Sequence, residues 1–158
     1  MFHAKTEKTR RGGFTLVELV IVVLIIGLTA AVAVPRFADA LVRCRVEAAA
    51  QRIAADLELA RRRARASSQS QVFRFLPATE GYVLPGVPHL DHPGQDYTLT
   101  LSMPPYRSTF SGVDFGGDND LIFDGHGLPD SEGEISIQSG SHEKTILVDP
   151  NTGEANVL

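Results

Sequence analysis

The chain has 158 residues, which suits one domain with an appended element, and its 43% hydrophobic content with a net charge of −4 excludes a disordered polyelectrolyte. The charge is uneven: residues 1–13 hold four Lys/Arg against one acid, residues 14–65 eight against five, and residues 66–158 three against thirteen. The acidic remainder gives no electrostatic reason to bind nucleic acid, and a single cysteine, Cys44, excludes an intrachain disulfide and a Cys-rich zinc site.

Residues 14–34, FTLVELVIVVLIIGLTAAVAV, form the first element. At about 1.5 Å per residue this run reaches about 31 Å as a helix, the thickness of a hydrocarbon core. Val and Ile abound in it, but in lipid only helices and closed barrels satisfy the backbone, so a helix is predicted. Lys5, Lys8, Arg10 and Arg11 precede the run, which keeps that end in the cytoplasm and exports the rest. An ordinary secretory signal has a shorter apolar core followed by a small-residue cleavage site. A plain single-pass anchor fits the length but leaves Glu18 unexplained. A carboxylate within an apolar span is costly and marks a functional site, where it needs a cationic partner or must be neutral.

Arg10-Arg11-Gly12-Gly13-Phe14-Thr15-Leu16-Val17-Glu18 resembles the class III signal of type IV pilins and pseudopilins. The resemblance implies that a prepilin peptidase cuts after Gly13 on the cytoplasmic side and N-methylates the new terminus, Phe14. It also implies that Glu18 of one subunit meets the Phe14 amine of a neighbour during assembly. In a low dielectric such a pair recovers much of the cost of its separate charges and sets axial register. The alternative, Glu18 snorkelling to the interface as a tolerated polar group, stays open.

Pro35 follows the span and predicts a kink, because proline removes one helical bond and crowds the preceding turn; plain termination is the alternative. Helical patterning resumes at once. Val46, Ala50, Ile53, Leu57, Ala60 and Ala64 recur at spacings of three and four, an apolar stripe that should dock residues 35–67 on a globular domain. Cys44 reads as a small apolar filler in this helix. Arg61, Arg62, Arg63 and Arg65 read as a solvated helix end complementing the carbonyl-end dipole, with a DNA or lipid contact as the other reading.

After Ser70 the period changes to two. Short strands are predicted at 71–76, 81–84, 97–102, 121–123, 134–139, 144–148 and 156–158, separated by Gly, Pro and Asp-rich turns. Residues 85–94 and 104–112 read as exposed loops. The expected fold is therefore α+β, a long kinked N-terminal helix on a mostly antiparallel sheet or small sandwich. Ala60-Arg61 near the helix end, 121–127 (LIFDGHG) and 146–153 (ILVDPNTG) are similar to the GspH/FimT-type minor pseudopilins and pilins.

Little in the exported part resembles catalytic or metal chemistry. Asp118, Asp120 and Asp124 supply hard oxygen ligands, but not at EF-hand spacing; an acidic turn is expected, with calcium left open. Adjacent Ser141-His142-Glu143 cannot supply the converging geometry of a triad. His89, His92, His126 and His142 are scattered in loops, and no phosphate-binding glycine loop is present. No metal and no cofactor are expected.

The expected organisation is a cytoplasmic leader at 1–13, a membrane-spanning half-helix at 14–34, an amphipathic half at 35–67 and an exported β-rich domain at 71–158. The resemblance implies a minor pseudopilin precursor serving a type II secretion pseudopilus, with a minor pilin at a pilus tip as the alternative. Its partners would be the prepilin peptidase, other pilin-like subunits and inner-membrane lipid. A membrane-anchored enzyme would need a converging polar set that the sequence lacks.

Overall fold

The computed structural model of the chain describes residues 13–158. The basic flank and the expected leader, apart from Gly13, lie outside the described residues. The chain divides into two units, one ending at Ala38 and the other spanning Asp39–Leu158.

One helix, α1, runs Leu16–Ser67 and passes through Pro35 rather than ending there. Within the second unit its expected stripe is buried: Val46, Ala50, Ile53, Leu57, Ala60 and Ala64, joined by Ala49 and Asp56. Cys44 departs from expectation. It is exposed, lies outside the buried stripe and fills no core space.

Eight strands follow: β1 (Gln71–Leu76), β2 (Gly81–Pro88), β3 (Asp96–Thr100), β4 (Thr109–Asp114), β5 (Asp120–Phe123), β6 (Gly133–Ser139), β7 (His142–Val148) and β8 (Ala155–Val157). They form two four-stranded antiparallel sheets, in the orders β3-β2-β1-β5 and β4-β6-β7-β8. Alternation sets the faces. In β1, Gln71, Phe73 and Phe75 point in, while Arg74 points out and meets Asp120, its partner on β5. In β6, Gly133, Ile135, Ile137 and Ser139 point in.

Phe73 and Tyr82 stack with ring centroids 4.8 Å apart, and Phe75 lies between Phe115 and an edge-on Phe110 at 5.1 and 5.6 Å. These rings, the isoleucines of the second sheet and the α1 stripe form one core.

Two expectations about loops fail. Residues 85–88 continue β2, and residues 109–114 form β4, which lay largely within the expected 104–112 loop. The register of β4 against β6 shifts between Phe110 and Gly112. That irregularity breaks the period-two pattern, and glycine lowers strand propensity, so the run does not read as a strand.

Candidate functional site

The candidate site at the N-terminus is built on the first turn of α1. Phe14 is 80% exposed and Gly13 is also exposed. Thr15 caps the helix: its hydroxyl accepts the Glu18 N–H at 3.2 Å, and its carbonyl accepts the Leu19 N–H at 3.1 Å. Thr15-Leu16-Val17-Glu18 has the spacing of a capping box, a signal that sequence reasoning passed over while attending to the charge of Glu18. Glu18 thus sits in the first turn, where the helix presents unpaired N–H groups and favours a carboxylate. Phe14 lies four residues before it, just ahead of α1, so both sit at the same end of the apolar run.

The run itself is bare within the chain. Its large apolar residues from Leu16 through Leu28, and Val32, Val34 and Phe37 beyond them, are exposed, and α1 is long and apolar enough to cross a membrane. Thr29 is compatible with lipid because its hydroxyl donates to the carbonyls of Ile25 and Ile26 at 3.0 and 2.9 Å.

In the second unit the sequence concealed a polar centre. Asp56 lies on the buried face of α1 at 4% exposure. Its Oδ2 accepts the Tyr82 hydroxyl at 2.6 Å, the Tyr97 hydroxyl at 2.7 Å and Arg52 Nε–H at 3.1 Å, and Arg52 also donates to the Tyr97 oxygen. Burial and the Asp56 carboxylate hold the Tyr82 phenol well above its usual range. Burial, with Asp56 opposing Arg52, pushes Tyr97 up to about 12. The hydrogen bond to Tyr97, which outweighs burial, raises the Arg52 guanidinium further. The cluster fastens β2 and β3 to α1; its acid is an i,i+4 partner of Arg52, so in sequence it reads as an ordinary helix-surface pair.

Arg62, Arg63 and Arg65 are exposed, as expected of a solvated helix end, and Arg61 is the exception. Arg61 bonds Glu58 at 3.0 Å with its side chain only 15% exposed, and Arg62 bonds Glu58 at 2.8 Å. Burial opposes ionisation of Glu58, but these two guanidiniums hold its carboxyl below its usual range. Arg63 donates to the Gly86 carbonyl at 2.7 Å. The stems of Arg61 and Arg65 come within 3.2 and 2.7 Å of where a Cβ on Gly127 would be. The run therefore anchors the turns of the β domain to α1.

The three aspartates go to separate structural tasks. Asp118 accepts the Asp120 N–H, Asp120 chelates Arg74, and Asp124 accepts the N–H groups of His126 and Leu128. The Leu128 N–H is the largest cause holding the Asp124 carboxyl below its usual range. Residues of Ser141-His142-Glu143 also diverge: His142 meets Asp39 at 2.8 Å and Glu143 accepts the Ser111 hydroxyl. The histidines are not all scattered, since His89 and His92 come together at the hairpin between β2 and β3. A groove of about 550 Å³ beside β6 and β7 is lined by Asp114, Glu132, Glu134 and Asp149, with no basic residue among its lining.

Residues 8–34 match the prokaryotic N-terminal methylation motif, and residues 49–152, more than half of the chain, match the type II transport protein GspH. No curated protein matches the chain in sequence. Among solved structures, the fold is similar to the type IV minor pilin FimU of Pseudomonas aeruginosa strain PAO1, at 16% identity and a TM-score of 0.54, covering 73% of this chain and 90% of that one. It is also similar to the minor pseudopilin EpsH from the Type 2 Secretion System of Vibrio cholerae, at 16% identity and a TM-score of 0.53, covering 72% and 96%. At such identities the likeness is one of fold.

Proposed function

The chain belongs to the type II transport protein GspH family, and from that premise we propose that it is a minor pseudopilin precursor, processed at Gly13 and Phe14 and built into a type II secretion pseudopilus. The observation that carries this reading is the joining of a methylation motif, a bare apolar half-helix and a GspH domain in one chain. In this reading the protein is an assembly subunit and a peptidase substrate rather than an enzyme.

In this reading residues 1–13 are a cytoplasmic leader and residues 14–34 span the inner membrane. Residues 35–67 carry the amphipathic half of the helix, and residues 71–158 form the exported domain. Cleavage frees the Phe14 amine, and Glu18 of one subunit pairs with that amine on a neighbour. An unpaired carboxylate in a low dielectric is strongly disfavoured, so subunits align where the pair forms. Pro35 gives α1 a bend point, since its ring leaves the Ala31 carbonyl without its usual donor. The bare side chains from Leu16 to Phe37 pack first against lipid and then against other subunits' helices.

Intact mass after co-expression with a prepilin peptidase tests the processing. The expected species starts at Phe14 and is heavier by one methyl group. An uncut chain, in cells that process a known pilin, overturns the reading and leaves a single-pass anchor. Glu18→Ala should be cut and stay in the membrane but fail to enter filaments; normal incorporation removes the role given to Glu18.

The likeness to FimU supports a second reading, a minor pilin at a pilus tip acting in assembly, adhesion or DNA uptake. Deleting the gene separates the two. Loss of protein export with intact pili favours the pseudopilus, and loss of pili with intact export favours the pilus. The acidic groove gives the DNA-uptake version no electrostatic support.

A further inference from the structure

We propose that the loop joining β2 to β3 is a binding site for a divalent transition-metal ion of the Zn²⁺ type, held by Nδ1 of His89 and Nδ1 of His92. The two nitrogens stand 3.3 Å apart. Two ligand nitrogens at ~2.0–2.1 Å from a tetrahedral ion are separated by about 3.3–3.4 Å, so the pair already has the required bite. The ring centroids are 4.6 Å apart, farther than the nitrogens, so the nitrogens occupy facing sides of the rings. The rings meet edge-to-face, at 71°.

The site is supported from behind. His89 N–H bonds the Gln95 carbonyl at 2.9 Å and Gln95 N–H bonds the His92 carbonyl at 3.2 Å, closing the loop on itself. The His89 ring stacks on Tyr97 at 5.9 Å. Tyr97 is in turn fixed by Asp56 and Arg52 on α1. A ligand ring held by a strand residue, itself bonded to a helix, keeps its geometry better than one on a free loop.

His89 Nδ1 accepts the Asp91 N–H at 3.1 Å. A metal ion takes the place of that N–H and of the contact with His92. No set of three or more His, Cys, Asp or Glu side chains converges among the described residues. A tetrahedral ion therefore completes its shell with two further donors, from water or from another molecule. Imidazole nitrogen selects Zn²⁺, Ni²⁺ or Cu²⁺ over the oxygen-seeking Ca²⁺ and Mg²⁺.

The test is calorimetric titration of the full chain in detergent micelles with Zn²⁺, and with Ca²⁺ as the contrasting ion. One Zn²⁺ per chain is expected, with no matching Ca²⁺ isotherm. His89→Ala and His92→Ala should each weaken Zn²⁺ at least about tenfold, since even loss of an outer-shell partner costs ~10–100-fold. A triple variant, His3→Ala with His126→Ala and His142→Ala, should keep the original affinity. Circular dichroism of each variant should match the parent, because His92 is exposed and His89 only partly buried. Absence of a 1:1 Zn²⁺ isotherm, or wild-type affinity in the His89→Ala/His92→Ala double variant, overturns the proposal. Processing by prepilin peptidase is read separately by mass, so failure here leaves the pseudopilin reading untouched.

Discussion

The two halves of α1 are both rich in apolar residues, yet they differ in what covers them. From Leu16 to Phe37 the apolar side chains are exposed all round, whereas from Val46 to Ala64 one stripe is fully buried beneath the strands. The first half is apolar on every face, the pattern of a helix covered by lipid or other helices; the second buries one apolar stripe and sets arginine, glutamate and a few exposed apolar residues such as Leu59 opposite it. Stability of the second unit should thus rest on the second half alone, while the first half should govern location and assembly.

Core truncation gives the largest expected contrast. Phe73→Ala removes a fully buried ring that stacks on Tyr82, and should cost about 3–5 kcal/mol in denaturant unfolding of the β domain. Leu24→Ala should leave that transition within about 0.5 kcal/mol, because Leu24 is exposed and outside the core. Equal losses from the two would erase the distinction between the halves.

Asp56→Ala should come next. It leaves two tyrosine hydroxyls and a half-exposed guanidinium without their acceptor, at roughly 2–3 kcal/mol. Asp56→Asn should cost less, since the amide oxygen still accepts a tyrosine proton. Chemical denaturation of both variants, alongside Glu132→Ala at an exposed position as a surface control, checks the order.

Gly153→Ala probes the anchoring of the turns to α1. Gly153 has φ of +70°, and a Cβ there would lie 2.5 Å from the Gly127 carbonyl oxygen. Strain at one such residue is of order 1–3 kcal/mol, read as a lowered melting temperature. An unchanged melting temperature would mean that the two turns can separate freely.

The smallest effect is alkaline. Folding raises both tyrosines, so the folded state holds protons that the unfolded chain gives up near pH 10. Their contribution is complete below about pH 10 and declines as pH rises, for Tyr97 through about 12. Tyr97→Phe should flatten that decline in a pH series of unfolding midpoints, and an unaltered slope would place the alkaline sensitivity elsewhere.

Much of this was legible in the residues. The apolar run, the motif around Gly13 and the buried stripe follow from local composition and a period of three to four, which depend on neighbours in sequence. Most strands were legible for the same reason. β4 was not, because the register shift after Phe110 hides its alternation, and pairing with β6 is what makes it a strand. Asp56 was invisible as a centre, because its partners Tyr82 and Tyr97 lie 26 and 41 residues away.

The order of residues was enough to set where the methylation motif lies, which segment is apolar enough to enter lipid and which helix face seeks a core, since each is a property of a contiguous stretch. Folding in three dimensions was needed to make Asp56 a buried acceptor, to turn Arg61 into a support for distant turns, and to bring the His89 and His92 rings together. Those outcomes depend on which segments are brought together, and on the desolvation that makes a buried polar group require its partners.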